Sequence, residues 1–404
     1  MANPIRCPIC FSSVNAILEK TINGVSITSD SNYTRSLKPY LCYCSVCCFW
    51  FTHQGADLHD FYENDYILLM QNFKSDQILL DRSMKMGRAE YQAAIIQIAA
   101  QSNQNPYLLE VGAGKGLTAF YINRLIETQG ISLHDPGAAR YSSTWIREVK
   151  PTSIHSSLED LSSIEFDLGF TFFSLEHSER PAEDMFQIAK SMKKGSVFLG
   201  AVPWLSANPG DLLVGDHCSH FTHTSLCRLL EQNRQTQGIE YRVLINTALR
   251  ALIYICSHSS AHLDNTVTAL LSGALASDFT STKSVKEISA DDLFASAQRQ
   301  WLVDTRVTGK KREVLWGAGF YSKLIMLRHH STRFSACIDS NPNLVGTSFV
   351  DPSNSVLRVG ASDTWLENCS SEDRLWLGMS ALASEAVFKA NHTVLTKAGV
   401  EIAF

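Results

Sequence analysis

Three strings in this chain carry residue types that do chemistry at spacings that allow it. The first is a set of paired thiols, Cys7-Pro-Ile-Cys10 and Cys44-Ser-Val-Cys47, with 33 residues between the pairs. Each Cys-x-x-Cys turn presents two thiolates to one point, and two such turns complete the tetrahedron that Zn²⁺ prefers. Four protein ligands leave no open position, so the metal expected here is structural. Cys42 and Cys48 are spare thiols that could compete for the second pair. The remaining five cysteines are scattered singly, unlike a secreted disulfide scaffold, and a reducing compartment fits better.

The second string is Leu108-Leu109-Glu110-Val111-Gly112-Ala113-Gly114-Lys115-Gly116. An apolar run, alternating glycines and then a helical pattern describe a strand that turns into a helix. Missing side chains at Gly112, Gly114 and Gly116 let the backbone approach a ligand closely, in the crevice where open α/β sheets bind ligands. Asp135, 19 residues past Gly116 and followed by Pro136, ends the next strand, where a carboxylate can hold both ribose hydroxyls. A dinucleotide site would show Gly-x-Gly-x-x-Gly. Here an acid stands inside the strand, unhelpful beside a pyrophosphate but suited to a cation.

The third constellation is imidazole and carboxylate. Phe173-Ser174-Leu175-Glu176-His177 closes one strand, and Gly215-Asp216-His217-Cys218-Ser219-His220-Phe221-Thr222 follows another. A helix opens there with Thr222, Thr224 or Ser225 as its N-cap. Imidazole is suited to moving a proton near neutral pH. His217 is the first candidate base, His177 and His220 are the others, and Asp216 or Glu176 could orient one of them.

The elements that must position these groups alternate. Strand patterns at YLLEV, GISLHD, TSIH, FDLGFTFF and SVFLGAVP interleave with helical patterns at GLTAFYINRLIETQ and AEDMFQIAKSMKK, the latter stopped by Gly195. That order predicts a mostly parallel sheet covered on both faces. EYRVLIN and LIYICSH read as a closing hairpin. A second α/β unit starts at EVLWGAG. The expected organisation is a zinc-binding domain over 1–60, a central α/β domain with a helical lead-in over 61–258, a helical connector over 259–312 and a Rossmann-like α/β domain over 313–404.

Composition bounds the partners. Of 404 residues, 35 are Lys or Arg and 40 are Asp or Glu, a formal charge of −5. Such a chain lacks the basic footprint of a nucleic-acid binder. No apolar run is long enough to span a bilayer, and MANPIRCPIC lacks the apolar segment of a secretory signal. A cytoplasmic protein acting on a small molecule is expected.

The Glu-x-Gly-x-Gly-x-Gly string resembles motif I of the class I S-adenosylmethionine-dependent methyltransferases, and Asp135 resembles their ribose-binding acid. The resemblance implies a Rossmann-like methyltransferase domain with S-adenosylmethionine contacts from Glu110, Gly112, Ala113, Gly114, Gly116, Asp135, Pro136 and Phe173. Leu158, within Ser156-Ser157-Leu158-Glu159-Asp160, lies where that family contacts adenine.

With the cysteine turns in front and the second α/β unit behind, the whole chain resembles three-domain C-methyltransferases, typified by enzymes that methylate carbon 3 of nucleotide-linked keto-deoxysugars. The resemblance implies structural zinc on Cys7, Cys10, Cys44 and Cys47, and a base in the Asp216-His217 pair, where the family has Glu-His. It also implies an active-site tyrosine stretch that Phe61-Tyr62-Glu63-Asn64-Asp65-Tyr66 matches at its start, with Tyr66 as the catalytic candidate and Ile67-Leu68 departing from the pattern. Gly317-Ala318-Gly319 and Asp339-Ser340-Asn341-Pro342 resemble the carboxyl-domain landmarks, with Ser322-Lys323 departing. Lacking a third glycine, this unit is expected to serve as a lid or wall of the acceptor pocket rather than as a dinucleotide site. Methyl transfer to oxygen or nitrogen, an RNA methyltransferase with an amino-terminal zinc knuckle, and a non-catalytic scaffold are the competing readings.

Overall fold

The computed structural model describes residues 4–22, 24–30, 32–55, 58, 61–62, 73–74, 76–79, 86–282, 288–302, 311–329, 332–351, 355–379 and 381–403. Glu63, Asn64, Asp65, Tyr66, Ile67 and Leu68 lie outside the described residues. Among the described residues no helix is long and apolar enough to cross a membrane.

The amino-terminal unit is an antiparallel sheet of β1 (Ala16–Glu19), β2 (Pro39–Cys44) and β3 (Phe49–Gln54). Aromatic and β-branched residues in β3, Phe49-Trp50-Phe51-Thr52, are all buried, as a strand covered on both faces requires. Its outer neighbour comes from far along the chain: Ser219–His220 pairs with Trp50 and Phe51.

The central unit runs α1 (Arg88–Ala99), β4 (Tyr107–Val111), α2 (Leu117–Leu125), β5 (Gly130–His134), α3 (Ala138–Glu148), β6 (Ser153–His155), β7 (Leu168–Phe172), α4 (Pro181–Ser191), β8 (Val197–Pro203), β9 (Ser219–His220), α5 (His223–Gln237), β10 (Glu240–Asn246), β11 (Ala251–Ser257), α6 (Ser260–Ser272) and β12 (Phe279–Ser281). Eight strands form one sheet in the order β6-β5-β4-β7-β8-β11-β10-β12. β4 to β8 are mutually parallel, and β11 slots antiparallel between β8 and β10. Consecutive residues feed opposite faces: Leu108 and Leu199 join one apolar cluster, Leu109 and Phe198 the other. The strand order reverses between β4 and β7, the switch point where such sheets bind ligands.

Two sequence expectations shift. α4 ends at Ser191, and Gly195 (φ +97°) sits in the turn beyond it. Residues 260–281, read as connector, supply α6 and the edge strand β12 of the main sheet, because Leu263 and Leu270 need an apolar face to cover.

After α7 (Ala290–Leu302) the carboxyl-terminal unit comprises β13 (Arg312–Trp316), α8 (Phe320–Arg328), β14 (Phe334–Asp339), β15 (Ser348–Val350), β16 (Val356–Ala361), α9 (Ser362–Leu366), β17 (Asp373–Leu377), α10 (Ala381–Ala398) and β18 (Glu401–Ala403). Its six strands run β15-β16-β14-β13-β17-β18, parallel apart from β15. One apolar cluster joins all parts of the chain: Ile27 and Trp50 from the front, Leu212 and Leu213 from the middle, Leu293 from α7 and Leu324 from α8. The units are therefore interlocked rather than strung on linkers.

The glycine loop is held from within the protein. Gly112 has φ +71°, and a Cβ there would meet Ser174 Oγ at 2.1 Å; Gly116, the N-cap of α2, has φ +76°, and a Cβ there would meet Trp145 at 2.7 Å. Both glycines are thus required by packing within the chain as well as by backbone conformation, where the sequence suggested close approach to a ligand. The Trp145 ring nitrogen donates to the Gly114 carbonyl at 3.0 Å and completes the brace. Gly116→Ala is expected to destabilise the protein by roughly 1–3 kcal/mol through left-handed strain and overlap with Trp145, read as a lowered urea midpoint with unchanged m-value.

Candidate active site

A cavity of about 440 Å³ opens where β4 and β7 end. Its cofactor-side wall holds Glu110, Gly112, Ala113, Gly114 and Phe173; Gly116, Asp135, Pro136 and Leu158 are not among its walls. Glu176, His177, Asp211 and His217 line the same cavity, and Phe320 and Tyr321 of α8 close it from the carboxyl-terminal unit.

Asp135 ties the glycine loop. Its Oδ2 accepts from the Gly114 amide at 2.8 Å and its Oδ1 from the Gly137 amide at 2.7 Å. Both oxygens are engaged by the backbone, so any contact with ribose uses their second lone pairs. Burial raises its carboxyl above the ordinary value, and the two amides oppose that. Glu110 is buried; the Ala119 amide at the start of α2 hydrogen-bonds to it, while its Oε2 has no partner. Burial pushes this carboxyl well above the usual carboxylate range, against the Ala119 amide, and the nearby Asp135 charge adds to the rise. Glu110 lines the cavity, so a positive group placed there would favour its charged form. The residues present therefore fit a sulfonium cofactor with an ammonium group.

Phe173 follows β7 with φ +56°, a strained conformation for an aromatic residue, and Arg88 lies 5.1 Å over its ring. The turn that follows turns Glu176 and His177 into the cavity. His177 Nδ1 lies 2.6 Å from the Tyr62 hydroxyl and 3.4 Å from Asp216 Oδ2. Asp216 in turn accepts from the Ser29 amide at 2.6 Å and the Ser29 hydroxyl at 2.7 Å. Asp216 thus orients His177 and not His217.

The partner of His217 is Asp211, which the sequence reading missed. His217 Nδ1 lies 2.8 Å from Asp211 Oδ1, and His220 Nδ1 lies 2.8 Å from Asp211 Oδ2. Although burial works the other way, the two imidazoles hold the Asp211 carboxyl far below its ordinary value. His217 is pushed up to about 9, Asp211, Asp216 and Glu176 outweighing its burial. His220 is fully buried and is lowered to about 4 by burial and by Lys20. It lies behind the cavity wall and cannot reach an acceptor. Of the helix-cap candidates Thr222 is the N-cap, in a reciprocal pair with Ser225.

Nothing in the spacing of Asn208-Pro-Gly-Asp211 marked Asp211, because it reaches His217 through a single 3-10 turn that only the fold reveals. Tyr62 did stand within the quoted tyrosine stretch, four residues before Tyr66.

The four sulfurs of Cys7, Cys10, Cys44 and Cys47 lie within 4.8 Å of one another, with Cys10 and Cys44 3.6 Å apart. Zn–S bonds of about 2.3 Å in a tetrahedron place sulfurs about 3.8 Å apart, so the set fits such an ion. Each turn ends on a left-handed residue, Phe11 (φ +60°) and Cys48 (φ +53°). Cys48 is therefore the counterpart of Phe11 and not a ligand, and the Cys42 sulfur points to the Tyr40 carbonyl.

Residues 84–233 match the family model of a methyltransferase domain. The chain is an enzyme that uses S-adenosylmethionine as its methyl donor. No curated protein matches the chain. Similar solved structures include a plantazolicin methyltransferase in complex with a triazolic desmethylPZN analog and SAH, at 13% identity and TM-score 0.37, covering 43% of this chain and 85% of that one. A possible histamine N-methyltransferase from Thermotoga maritima is similar at 12% identity and TM-score 0.33, covering 43% and 90%. The mitomycin 7-O-methyltransferase is similar at 15% identity and TM-score 0.35, covering 42% and 54%.

Glu110→Gln removes the charge that the cavity turns toward a cation. It is expected to weaken S-adenosylmethionine binding by about tenfold or more, measured by isothermal titration calorimetry.

Proposed function

We propose that this enzyme methylates a carbon beside a keto group in a small biosynthetic intermediate, with nucleotide-linked keto sugars as the leading acceptor class, and that Cys7, Cys10, Cys44 and Cys47 hold one structural Zn²⁺. The observation that supports the reaction is a single cavity lined by both the glycine-loop wall and the Asp211-braced His217. The choice of carbon follows the resemblance of the whole chain to sugar C-methyltransferases.

When bound, S-adenosylmethionine supplies an electrophilic methyl group on a sulfonium leaving group. Glu110 and the loop from Gly112 to Gly114 would hold it, with Asp135 beneath the loop. The chain's remaining task is to align the acceptor and remove a proton from it. His217 commits Nδ1 to Asp211, which leaves Nε2 to take that proton. Because the surrounding carboxylates raise its proton affinity, His217 is a stronger base than free imidazole, as a carbon acid requires, but only its neutral fraction works. Phe320 and Tyr321 close the acceptor side.

Two measurements test this. Incubation with methyl-labelled S-adenosylmethionine and a panel of keto-sugar nucleotides and other keto metabolites should give a product with a new carbon–methyl bond; an O- or N-methyl product overturns the carbon assignment. With such an acceptor, kcat/KM should rise with pH up to about 9, where free His217 loses its proton, and His217→Gln should lower kcat by about 10²–10⁴-fold. For the metal, protein purified under reducing conditions should carry one zinc per chain that Cys44→Ser releases with a fall in Tm. Four reduced cysteines without zinc would remove the assignment.

A further inference from the structure

The groups behind His217 form a chain whose hydrogen-bond directions are fixed link by link. Lys20 is buried, and its ammonium has donors only. Nζ donates to Thr52 Oγ1 at 2.7 Å. The Thr52 hydroxyl lies 3.0 Å from His220 Nε2, and with the acceptor-only Asp211 carboxylate holding the single proton of a neutral His220 on Nδ1, it is Thr52 that donates there. His220 Nδ1 donates to Asp211 Oδ2 at 2.8 Å. Asp211 is then left with Oδ1 for the His217 Nδ1 proton, also at 2.8 Å. Every donor from Lys20 onward points toward Asp211. Lys20 Nζ, 3.4 Å from His220 Nε2, also opposes a second proton on that imidazole. This keeps His220 neutral and Asp211 ionised.

The start of this chain belongs to the amino-terminal unit. Lys20 follows β1, Thr52 lies in β3, and His220 sits in β9, which pairs with β3. The same unit secures the turn that carries His217: Gln54 donates to the Gly215 carbonyl at 2.7 Å, and Ser29 holds both oxygens of Asp216.

We propose that Asp211 is the positioning residue for His217, and that the amino-terminal unit, acting through Lys20, Thr52 and His220, holds Asp211 in place and so forms part of the catalytic machinery. The proposal rests on His217 being the base and adds what fixes its tautomer and orientation. Truncating the brace should reduce turnover more than binding, since none of Lys20, Thr52 or His220 lines the cavity. Asp211 and Asp216 on its own segment and Glu176 from the turn after β7 raise the His217 proton affinity, while His177 from that turn and His220 from β9 face its ring. Arg250 before β11 and Tyr321 of α8 face the same cavity.

The test is a histidine ¹⁵N NMR titration of the full-length, zinc-loaded protein, which needs no acceptor, together with kinetics once an acceptor is in hand. Wild type should show neutral, Nδ1-protonated His220 across the neutral range and a His217 midpoint well above that of free imidazole. Asp211→Asn should lower the His217 midpoint by at least one pH unit and kcat by about 10²-fold, with KM within about twofold. Lys20→Met should raise the His220 midpoint and lower kcat by about tenfold. Where either buried-charge variant fails to fold, Thr52→Val should lower kcat by several-fold and Thr52→Ser, which keeps the hydroxyl, should restore it. If His217 titrates like free imidazole in wild type, or if its midpoint and kcat are unchanged in Asp211→Asn, Lys20→Met and Thr52→Val alike, the proposal is overturned. Full turnover in His217→Gln would instead remove the base itself, so the two failures are distinguishable.

Discussion

A carboxylate buried away from water is tolerated only when its charge is paired and its oxygens are occupied, and Asp211 is such a group. It lies at the meeting point of the amino-terminal sheet, the turn that carries His217 and the carboxyl-terminal helix α8, beside the apolar cluster that joins the units. Satisfying it takes an imidazole from each side, and keeping one of them neutral takes an ammonium and a hydroxyl from the amino-terminal sheet, more than 150 residues earlier in the chain. The pairing of β9 with β3 brings those groups within reach. The architecture of the site thus follows from one charge that must not be left alone.

The same loop device occurs twice with different outcomes. Asp339 Oδ2 accepts from the Ala318 amide and Oδ1 from the Asn341 amide, both at 2.7 Å, as Asp135 does for Gly114 and Gly137. In the central unit the loop borders a cavity. In the carboxyl-terminal unit it closes on the next strand: a Cβ on Gly317 would lie 2.7 Å from the Gly378 carbonyl, and one on Gly378 would collide with Ser322. The second turn therefore serves packing. The residues just after it, Phe320 and Tyr321, face the first unit's cavity, and Tyr321 hydrogen-bonds to Asn208 on the segment leading to Asp211.

The sequence showed what depends on local pattern. Period-two and period-3.6 runs marked most strands and helices of both α/β units, and the spacing of Cys7, Cys10, Cys44 and Cys47 marked a cluster that the fold assembles. The glycine string was legible as a loop at a strand end, but the pressures on Gly112 and Gly116 were not, because Ser174 and Trp145 approach them only after folding. Asp211 and Lys20 escaped because the partner of a buried charge is set by tertiary distance, which no spacing encodes. Which imidazole Asp216 orients stayed open for the same reason, and the fold sets it beside His177. The connector reading failed at α6 and β12 because an edge strand of three residues is too short to show alternation.

Two carboxyl oxygens remain without partners where the cavity begins, Glu110 Oε2 and Glu176 Oε2, and both side chains are buried. Folding alone leaves each at a cost of about 1–3 kcal/mol, and a protein selected only for stability would fill such positions with apolar residues or hydrogen-bond donors. Their burial raises both carboxyls above the ordinary value, while Asp211, of the same chemical type and equally buried, is held far below it. The difference lies in the partners. Asp211 receives its two imidazoles from the protein itself, whereas Glu110 and Glu176 line the cavity and each keeps one oxygen that the fold leaves unpartnered. Environments that drive like groups apart in this way separate the groups that hold the site together from those that receive its reactants.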